Sequence, residues 1–428
     1  MSERPVVITG IGLVTPAGPD RESSWAGIRG GRSFTRWLTP TPGVLGSTAW
    51  VGAPTDWGNP PVSGDLLDGN RLAGEIAEPL IELALRAATE AVADARLIID
   101  ASTRDRIGSV VGTSKGGWHA FQHAWEATYR GREFSSGGSK TDPFALFLPD
   151  TPARRVAARL DLRGPCLCPV AACATGLISI ARGADLIAQG RCDAVLAGSV
   201  DASLVEIVQG SFRRLGVLAR PGEDGSRACR PFDRDRDGFV VGEGGAVLVL
   251  ESADRARARG AKIYATWLAA GVASEATHLA RLNEDPTDLA RLITRTLQIA
   301  DVATSEIDYV NYHGTGTRPN DRLETAAIRR SLGPVASQIP GSSLKGSIGH
   351  LLGGAGSVEL ATTLLAMRDG IVPPTVNLEH PDAECDLDYT PRIAHPARIE
   401  TALKLSLGFG GHLACAVLRR GDISRVVT

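Results

Sequence analysis

Apolar and polar positions along this chain fall into blocks with the periods of strands and helices. The run RPVVITGIGLVTPAG, from Arg4, is almost continuously apolar until glycine interrupts it, the pattern of a buried strand ending in a tight turn. Residues from about Thr35 to Leu72 are rich in Pro, Gly and Trp without a period, which predicts an irregular surface excursion. In LAGEIAEPLIELALRAATEAVADA, Leu80, Leu83, Leu85, Ala88 and Val92 recur at helical spacing, with Pro79 limiting the start. RIGSVVGTSKGG, AVLAGSVDASL and GAVLVLES read as three more strands. Beyond Ala253 a charged connector, RARARGAK, leads into a strand, and the rhythm repeats: helix DLARLITRTLQIA, strand IDYVNYHGTGT, helices RLETAAIRRSLG and GSVELATTLLAMRDG, strands TALKLSLGFGG and HLACAVLRR. Strands alternating with helices predict an α/β chain with a mainly parallel sheet. The rhythm also suggests an internal duplication, residues 1–255 and 256–428.

Composition narrows the classes. A chain of 428 residues, 43% hydrophobic and 22% charged, can bury a large core without staples. A formal net charge of -2 speaks against a general nucleic-acid binder. No signal-peptide core follows Met1–Pro5, and no uncharged apolar run of about 18 residues is present, so a cytoplasmic chain without a membrane span is expected. Seven cysteines, odd in number and scattered, point to a reducing compartment rather than a disulfide frame. Gly10 and Gly12 match the start of a dinucleotide fingerprint, but Thr15 stands at its last glycine, which excludes that reading.

Three of the cysteines crowd into CLCPVAACATG, Cys166 to Gly176. Their spacing lacks the paired C-x2-C of a zinc site, so no metal is expected. Cys166 and Cys168 read as small packing residues in an approach strand. Cys173 differs. The segment after it places Leu177, Ile180, Ala184 and Ile187 at helical spacing, so the thiol sits at a strand-to-helix junction. A helix N-terminus favours the thiolate and lowers a cysteine pKa. Ala171, Ala172, Ala174 and Gly176 leave room for a substrate. Two histidines lie in glycine-rich loops, His313 in YVNYHGTGTRPND and His350 in SSLKGSIGHLLGGAGSVE, the latter with Lys345. Loops after strands are where α/β folds keep working residues. His119, His123, His380 and His395 carry no such context and read as structural or surface residues.

These segments, in this order, resemble the elongating β-ketoacyl–acyl-carrier-protein synthases, condensing enzymes of the thiolase superfamily. The likeness runs through VVITGIGLVTPAG, AACATG, CRPFDRDRDGFVVGEGGAVLVLE, HGTGT, KGSIGHLLGGAGSVE and GFGG, nearly the whole chain. It implies a thiolase-like fold, two copies of one α/β topology in a five-layered α-β-α-β-α core, and a dimer, either of identical subunits or with a related subunit. It implies decarboxylative Claisen condensation of an acyl thioester with malonyl-acyl carrier protein, in fatty-acid or polyketide assembly. Cys173 would take the acyl group, and the N–H groups of Cys173 and Phe409 would hold the oxyanion, with Phe409 also gating access. His313 and His350 would stabilise the enolate, Lys345 would orient the site and Glu243 would support Lys345. Thr315 and Thr317 would bond the pantetheine arm. Substrates arrive on that arm, so no cofactor is implied. Carrier proteins are acidic, and Arg213, Arg214 and Arg220, with Arg227 nearby, are candidates for docking one.

The chain departs from the family pattern at Lys115, where an apolar residue usually lines the acyl tunnel near the dimer interface. A lysine there would shorten the tunnel, pair with an acid of the partner chain, meet a polar acyl tail, or turn to solvent. His412-Leu413 replaces a usual Thr-Asn, and His278 is not followed by the usual Thr-Ser-Pro. Two other readings stay open: an acyltransferase relative without chain extension, and a partner subunit of the chain-length-factor kind, against which the presence of Cys173, His313 and His350 speaks.

Overall fold

The computed structural model describes residues 4–39, 49–55, 78–129, 143–279 and 282–421. Ten strands make its main sheet: β1 (Val6–Val14), β2 (Ile107–Gly112), β3 (Cys166–Leu167), β4 (Ala194–Asp201), β5 (Gly244–Ser252), β6 (Ala265–Ser274), β7 (Tyr309–Asn311), β8 (Gly341–Ser342), β9 (Thr401–Gly408) and β10 (His412–Arg420). Their order is β8-β7-β9-β10-β6-β1-β5-β4-β2-β3. Each half therefore runs first-fifth-fourth-second-third in its own strands, and β1 meets β6 at the join.

The sheet is mixed, which corrects the expectation of a mainly parallel one. β2 is parallel to β3 and β4, and β7 is parallel to β8 and β9. The last strand of each half, β5 or β10, instead inserts between the first and fourth and runs antiparallel to both. For β10 the cause is local. Only Phe409, Gly410 and Gly411 separate it from β9, and Gly410 and Gly411 take φ of 85° and 78°, so the chain reverses as a hairpin.

Seven helices position the layers: α1 (Pro79–Ala95), α2 (Thr151–Arg159), α3 (Thr175–Ala188), α4 (Glu206–Leu215), α5 (Thr287–Ile299), α6 (Arg318–Leu332) and α7 (Ala355–Asp369). α1 and α2 cover the outer face of the first half, and α5 and α6 that of the second. α3 and α7 lie between the halves, within the largest apolar cluster. The result is the layer sequence α-β-α-β-α. α1 starts at Pro79, with the Glu78 carboxylate accepting from Leu80 N at 3.3 Å, and ends at Arg96 in a left-handed conformation. Its buried face is largely alanine, and β1 answers with glycine. A Cβ at Gly12 would fall 1.8 Å from the Ala87 carbonyl oxygen, so these glycines serve strand–helix approach and no nucleotide.

The excursion after Thr35 contains two short strands, another correction. Arg36–Leu38 and Trp50–Ala53 pair with each other, and the latter with Val241–Gly242, because Trp50 and Val51 have an apolar wall to cover. Residues 40–48 and 56–72 of that stretch and the His123 side chain lie outside the described residues. No described helix is long and apolar enough to cross a membrane.

Candidate active site

Two helix starts meet at the centre. Ala172 takes φ 47°, Cys173 follows in a 3-10 turn, and α3 begins at Thr175. The Thr175 hydroxyl accepts from Ala171 N at 2.9 Å and donates to Ala172 O at 2.7 Å, tying the turn to the helix. The second half repeats the device: Leu352 takes φ 49°, a 3-10 turn ends at Gly354, and α7 begins at Ala355. The helices touch at glycine, since a Cβ at Gly176 would lie 2.3 Å from Ser357 N. A non-glycine residue held at positive φ stores strain of about 1–3 kcal/mol, so both turns are over-determined by what surrounds them.

A cavity of about 700 Å³ opens onto the first of these turns. Cys173, His313 and His350 line it with Phe239, Thr315, Thr317 and Phe409, so it gathers the expected nucleophile, histidine pair, gate and arm-binding hydroxyls. The two imidazole rings are 5.3 Å apart between centroids and nearly perpendicular at 80°. Phe239 packs edge-on against His350 at 5.1 Å.

Each imidazole has its Nδ1 occupied by a donor. His350 Nδ1 accepts from Leu352 N at 3.3 Å. His313 Nδ1 faces the Lys345 ammonium at 3.4 Å, and that ammonium also donates to His313 O. An ammonium and an amide can only donate, so both rings carry their proton on Nε2. Burial, with Lys345 and other nearby charges adding to it, holds both histidines well below the usual imidazole range, hence neutral. Two neutral Nε2–H donors at one cavity are suited to a developing oxyanion.

The carboxylate that supports Lys345 is Glu359, not Glu243. Lys345 Nζ donates to Glu359 Oε1. Glu243 instead accepts from Thr55 N at 3.0 Å and Thr55 Oγ1 at 3.1 Å, because it lies at the start of β5 beside the Trp50–Ala53 strand. The other oxygen of Glu359 lies 2.7 Å from Lys404 Nζ. Glu359 and Lys404 escaped the sequence reading, yet each is a lone charge in an apolar segment, Glu359 in GSVELATTLLAM and Lys404 in TALKLSLG. Glu324 escaped as well. It accepts from His313 N at 2.5 Å and Gly314 N at 2.7 Å, and burial pushes its carboxyl up to about 7.

The Cys173 thiol is pushed up to about 11, the reverse of the expected helix-terminus effect. Burial dominates; the charges of Lys115 and Lys345 and the Phe409 N–H, which points at the sulfur, pull the other way and lose. Lys115 does not turn wholly to solvent. Its ammonium donates to Ser114 Oγ at 2.6 Å and to Asp201 at 3.3 Å, with 23% of the side chain exposed. Asp201 is fully buried and also accepts from Ser114, Ser203 and Gly353 N.

Of the two cysteines expected to pack, Cys168 does so, partly buried against the core of the first half, whereas Cys166 does not. Cys166 is exposed because β3 is the last strand of the sheet, and Cys168 is half-buried, donating to Pro149 O at 2.7 Å. Arg213 and Arg214 end α4 on the surface, and Arg220 lines the cavity mouth with 93% of its side chain exposed. Arg227 pairs with Glu379 at 2.6 Å. Leu413, of the His412-Leu413 departure, is buried in the core of the second half. Among the described residues no group of three or more His, Cys, Asp or Glu is arranged to hold a metal ion.

Family profiles match in two consecutive pieces: the β-ketoacyl synthase N-terminal domain over residues 3–256 and the C-terminal domain over 264–379. The chain is similar to the tetracenomycin polyketide synthase ketoacyl synthase alpha subunit of Streptomyces glaucescens, 37% identical with 99% of each chain covered. It is similar to the 3-oxoacyl-[acyl-carrier-protein] synthase 2 of Coxiella burnetii, 33% identical with 98% of this chain and 99% of that one covered. Among solved structures it is similar to the ketosynthase of a type II polyketide synthase, in complex with its acyl carrier protein and bound to the hexaketide. The TM-score is 0.87, at 31% identity over 98% of this chain and 100% of that one. The ishigamide ketosynthase/chain length factor gives a TM-score of 0.84 at 30% identity, with 98% and 100% covered.

Proposed function

This chain belongs to the β-ketoacyl synthase family, and from that premise we propose that it extends an acyl group held on Cys173 by two carbons taken from malonyl-acyl carrier protein. It is an enzyme of the acyltransferase class with a thiolase-like fold, of the kind that serves fatty-acid and polyketide biosynthesis. The first half, residues 1–255, supplies the nucleophile and the second, 256–428, the histidine pair.

In the first half-reaction the Cys173 sulfur attacks the thioester carbonyl. The oxyanion settles on the N–H groups of Cys173 and Phe409, and the pantetheine thiol leaves with the proton the cysteine gave up. A cysteine pushed to about 11 is a poor resting thiolate, so it reacts when the positioned thioester and these donors arrive together. In the second half-reaction malonyl thioester binds with its carbonyl oxygen between His313 and His350. The bond to the carboxylate breaks, CO₂ departs and the electron pair becomes an enolate held by two Nε2–H groups. Its carbon attacks the acyl-Cys173 carbonyl, and the sulfur leaves. Thr315 and Thr317, whose hydroxyls are 2.8 Å apart on the cavity wall, steady the pantetheine arm. The chemistry calls for no resident cofactor. Arg213, Arg214 and Arg220 offer the acidic carrier a basic rim.

One observation carries this reading: a cavity joins Cys173 to two histidines whose Nδ1 atoms are both taken by donors. Intact-protein mass spectrometry tests it. Incubation with acyl-acyl carrier protein should add one acyl mass, and malonyl carrier should then release a β-ketoacyl carrier two carbons longer. Acylation that survives Cys173→Ala would overturn the assignment, and acylation without extension would make the chain a transferase. Cys173→Gln should decarboxylate malonyl carrier without condensing, and His313→Ala should slow decarboxylation by about a hundredfold or more.

A further inference from the structure

Lys404 sits on the middle of β9 with none of its side chain exposed, and burial lowers its ammonium from the usual lysine range while the Glu359 carboxylate beside it opposes that shift. The neighbours of β9 are strands, β7 on one edge and β10 on the other, and Lys404 sits opposite Asn311, two residues before His313. Burying an ammonium costs several kcal/mol unless it is paired. Its one carboxylate, Glu359, is already the partner of Lys345. Two ammonium groups thus share one carboxylate in a closed interior, with a further donor bond from Lys404 to Leu405 O. A core built for stability alone would have used an apolar residue there, as β9 does at Ala402, Leu403, Leu405 and Leu407.

The arrangement has a direction. Glu359 reaches from α7, Oε1 to Lys345 and Oε2 to Lys404, so Lys404 fixes one end of the carboxylate and thereby the ammonium at the other. That ammonium touches His313 at Nδ1 and at its carbonyl oxygen. We propose that Lys404 is a positioning residue for the enolate-stabilising histidine pair: through Glu359 it holds the Lys345 ammonium on His313 Nδ1. The inference rests on the roles given above to His313 and His350.

The charged groups around His313 agree with this. From α6 come Glu324, on the His313 backbone, and Asp321, which is paired with Arg236 at 3.1 Å. From α7 comes Glu359, from β9 Lys404, from the short helix Lys345–Ile348 comes Lys345, and His350 stands opposite. Lys115 acts on His350 across the site but is tied to Asp201. Glu324 is drawn toward its protonated form near neutrality, so it offsets the two lysines only in part. Lys404 is among the charges that disfavour a proton on His313 and on His350.

The test is Lys404→Met, which keeps the length and apolar stem without the charge, with Lys404→Gln as a second variant. Two readouts are taken on the purified full chain: the rate of malonyl-carrier decarboxylation, and the titration of His313 followed by NMR of protein labelled at the histidine ring carbons. The His313 resonance is assigned with His313→Asn. Loss of a nearby positive charge favours the imidazolium, so the His313 titration should move upward by roughly one pH unit in both variants. Decarboxylation should fall roughly tenfold, with the larger part of the loss in kcat rather than KM. A thermal midpoint that falls while titration and rate stay at wild-type values would assign Lys404 to folding alone and overturn the proposal. Wild-type protein that does not decarboxylate malonyl carrier would instead overturn the functional reading, and the histidine titration would still judge Lys404.

Discussion

At the scale of single residues, the nucleophile is governed by a contest that burial wins. The Cys173 thiol is pushed up to about 11, and Lys115 heads the groups that oppose the shift. Well below that value only a small fraction is thiolate, and there the fraction grows about tenfold per pH unit. Alkylation of the resting enzyme by iodoacetamide should therefore climb by about tenfold per unit from pH 7 to 10, with no plateau near neutrality. Lys115→Ile removes the leading opposing charge, so the alkylation rate at pH 8 should drop several-fold. Asp201 keeps three other donors, Ser114, Ser203 and Gly353 N, so the loop should hold. The same variant, offered acyl carriers of graded length and polarity, should shift its preference toward longer apolar chains. An unchanged alkylation rate and an unchanged acyl profile together would remove Lys115 from the site. Sequence alone flagged Lys115 as out of pattern. It did not reveal the partner, because Asp201 is 86 positions away and meets it only once β2 and β4 pair.

At the scale of elements, chemistry concentrates where strands hand over to helices or turn back. The β9–β10 hairpin shows why the local sequence is so constrained. A Cβ at Gly408 would fall 2.7 Å from Ala171 O, closer than real Cβ contacts allow, and 3.2 Å from Cys173 N, a tight contact. Gly408→Ala must push the hairpin away from the Cys173 turn and take the Phe409 N–H off the sulfur. Acylation should fall by roughly a hundredfold, the loss typical of one missing oxyanion donor, while malonyl decarboxylation falls far less. Equal losses in both assays would show that the substitution disturbs the whole cavity. The elements themselves were legible where the period was long: α1, α3, α5, α6 and α7 stand where apolar spacing put them. The hairpin signal was also present, in GFGG between two apolar runs, and reading it as a turn would have shown that β10 runs antiparallel. The positive-φ turns at Ala172 and Leu352 were not legible, since neither residue is one that favours that conformation.

At the scale of the whole molecule, the repeated strand order places one helix start from each half at the centre, and neither half holds the cavity alone. Rhythm in the sequence suggested the repeat. The charge pairs that finish the site, Lys345 with Glu359 and Lys404, join a loop, a helix and a strand, and no local pattern marks them as partners. One edge of the sheet pairs with no further strand among the described residues. β3 is the terminal strand of the sheet, two residues long, and its Cys166 is exposed. An uncovered strand edge invites pairing with another chain, and a thiol there reports whether pairing occurs. If two chains meet across β3, as the expected dimer would allow, Cys166 should resist maleimide in the assembled protein. It should react in Cys168→Ser protein once dilution or mild denaturant separates the subunits, with light scattering giving the mass at each step. Rapid labelling of Cys166 at full dimer mass would place the subunit contact on another face, and rapid labelling at the mass of one chain would rule the dimer out under those conditions.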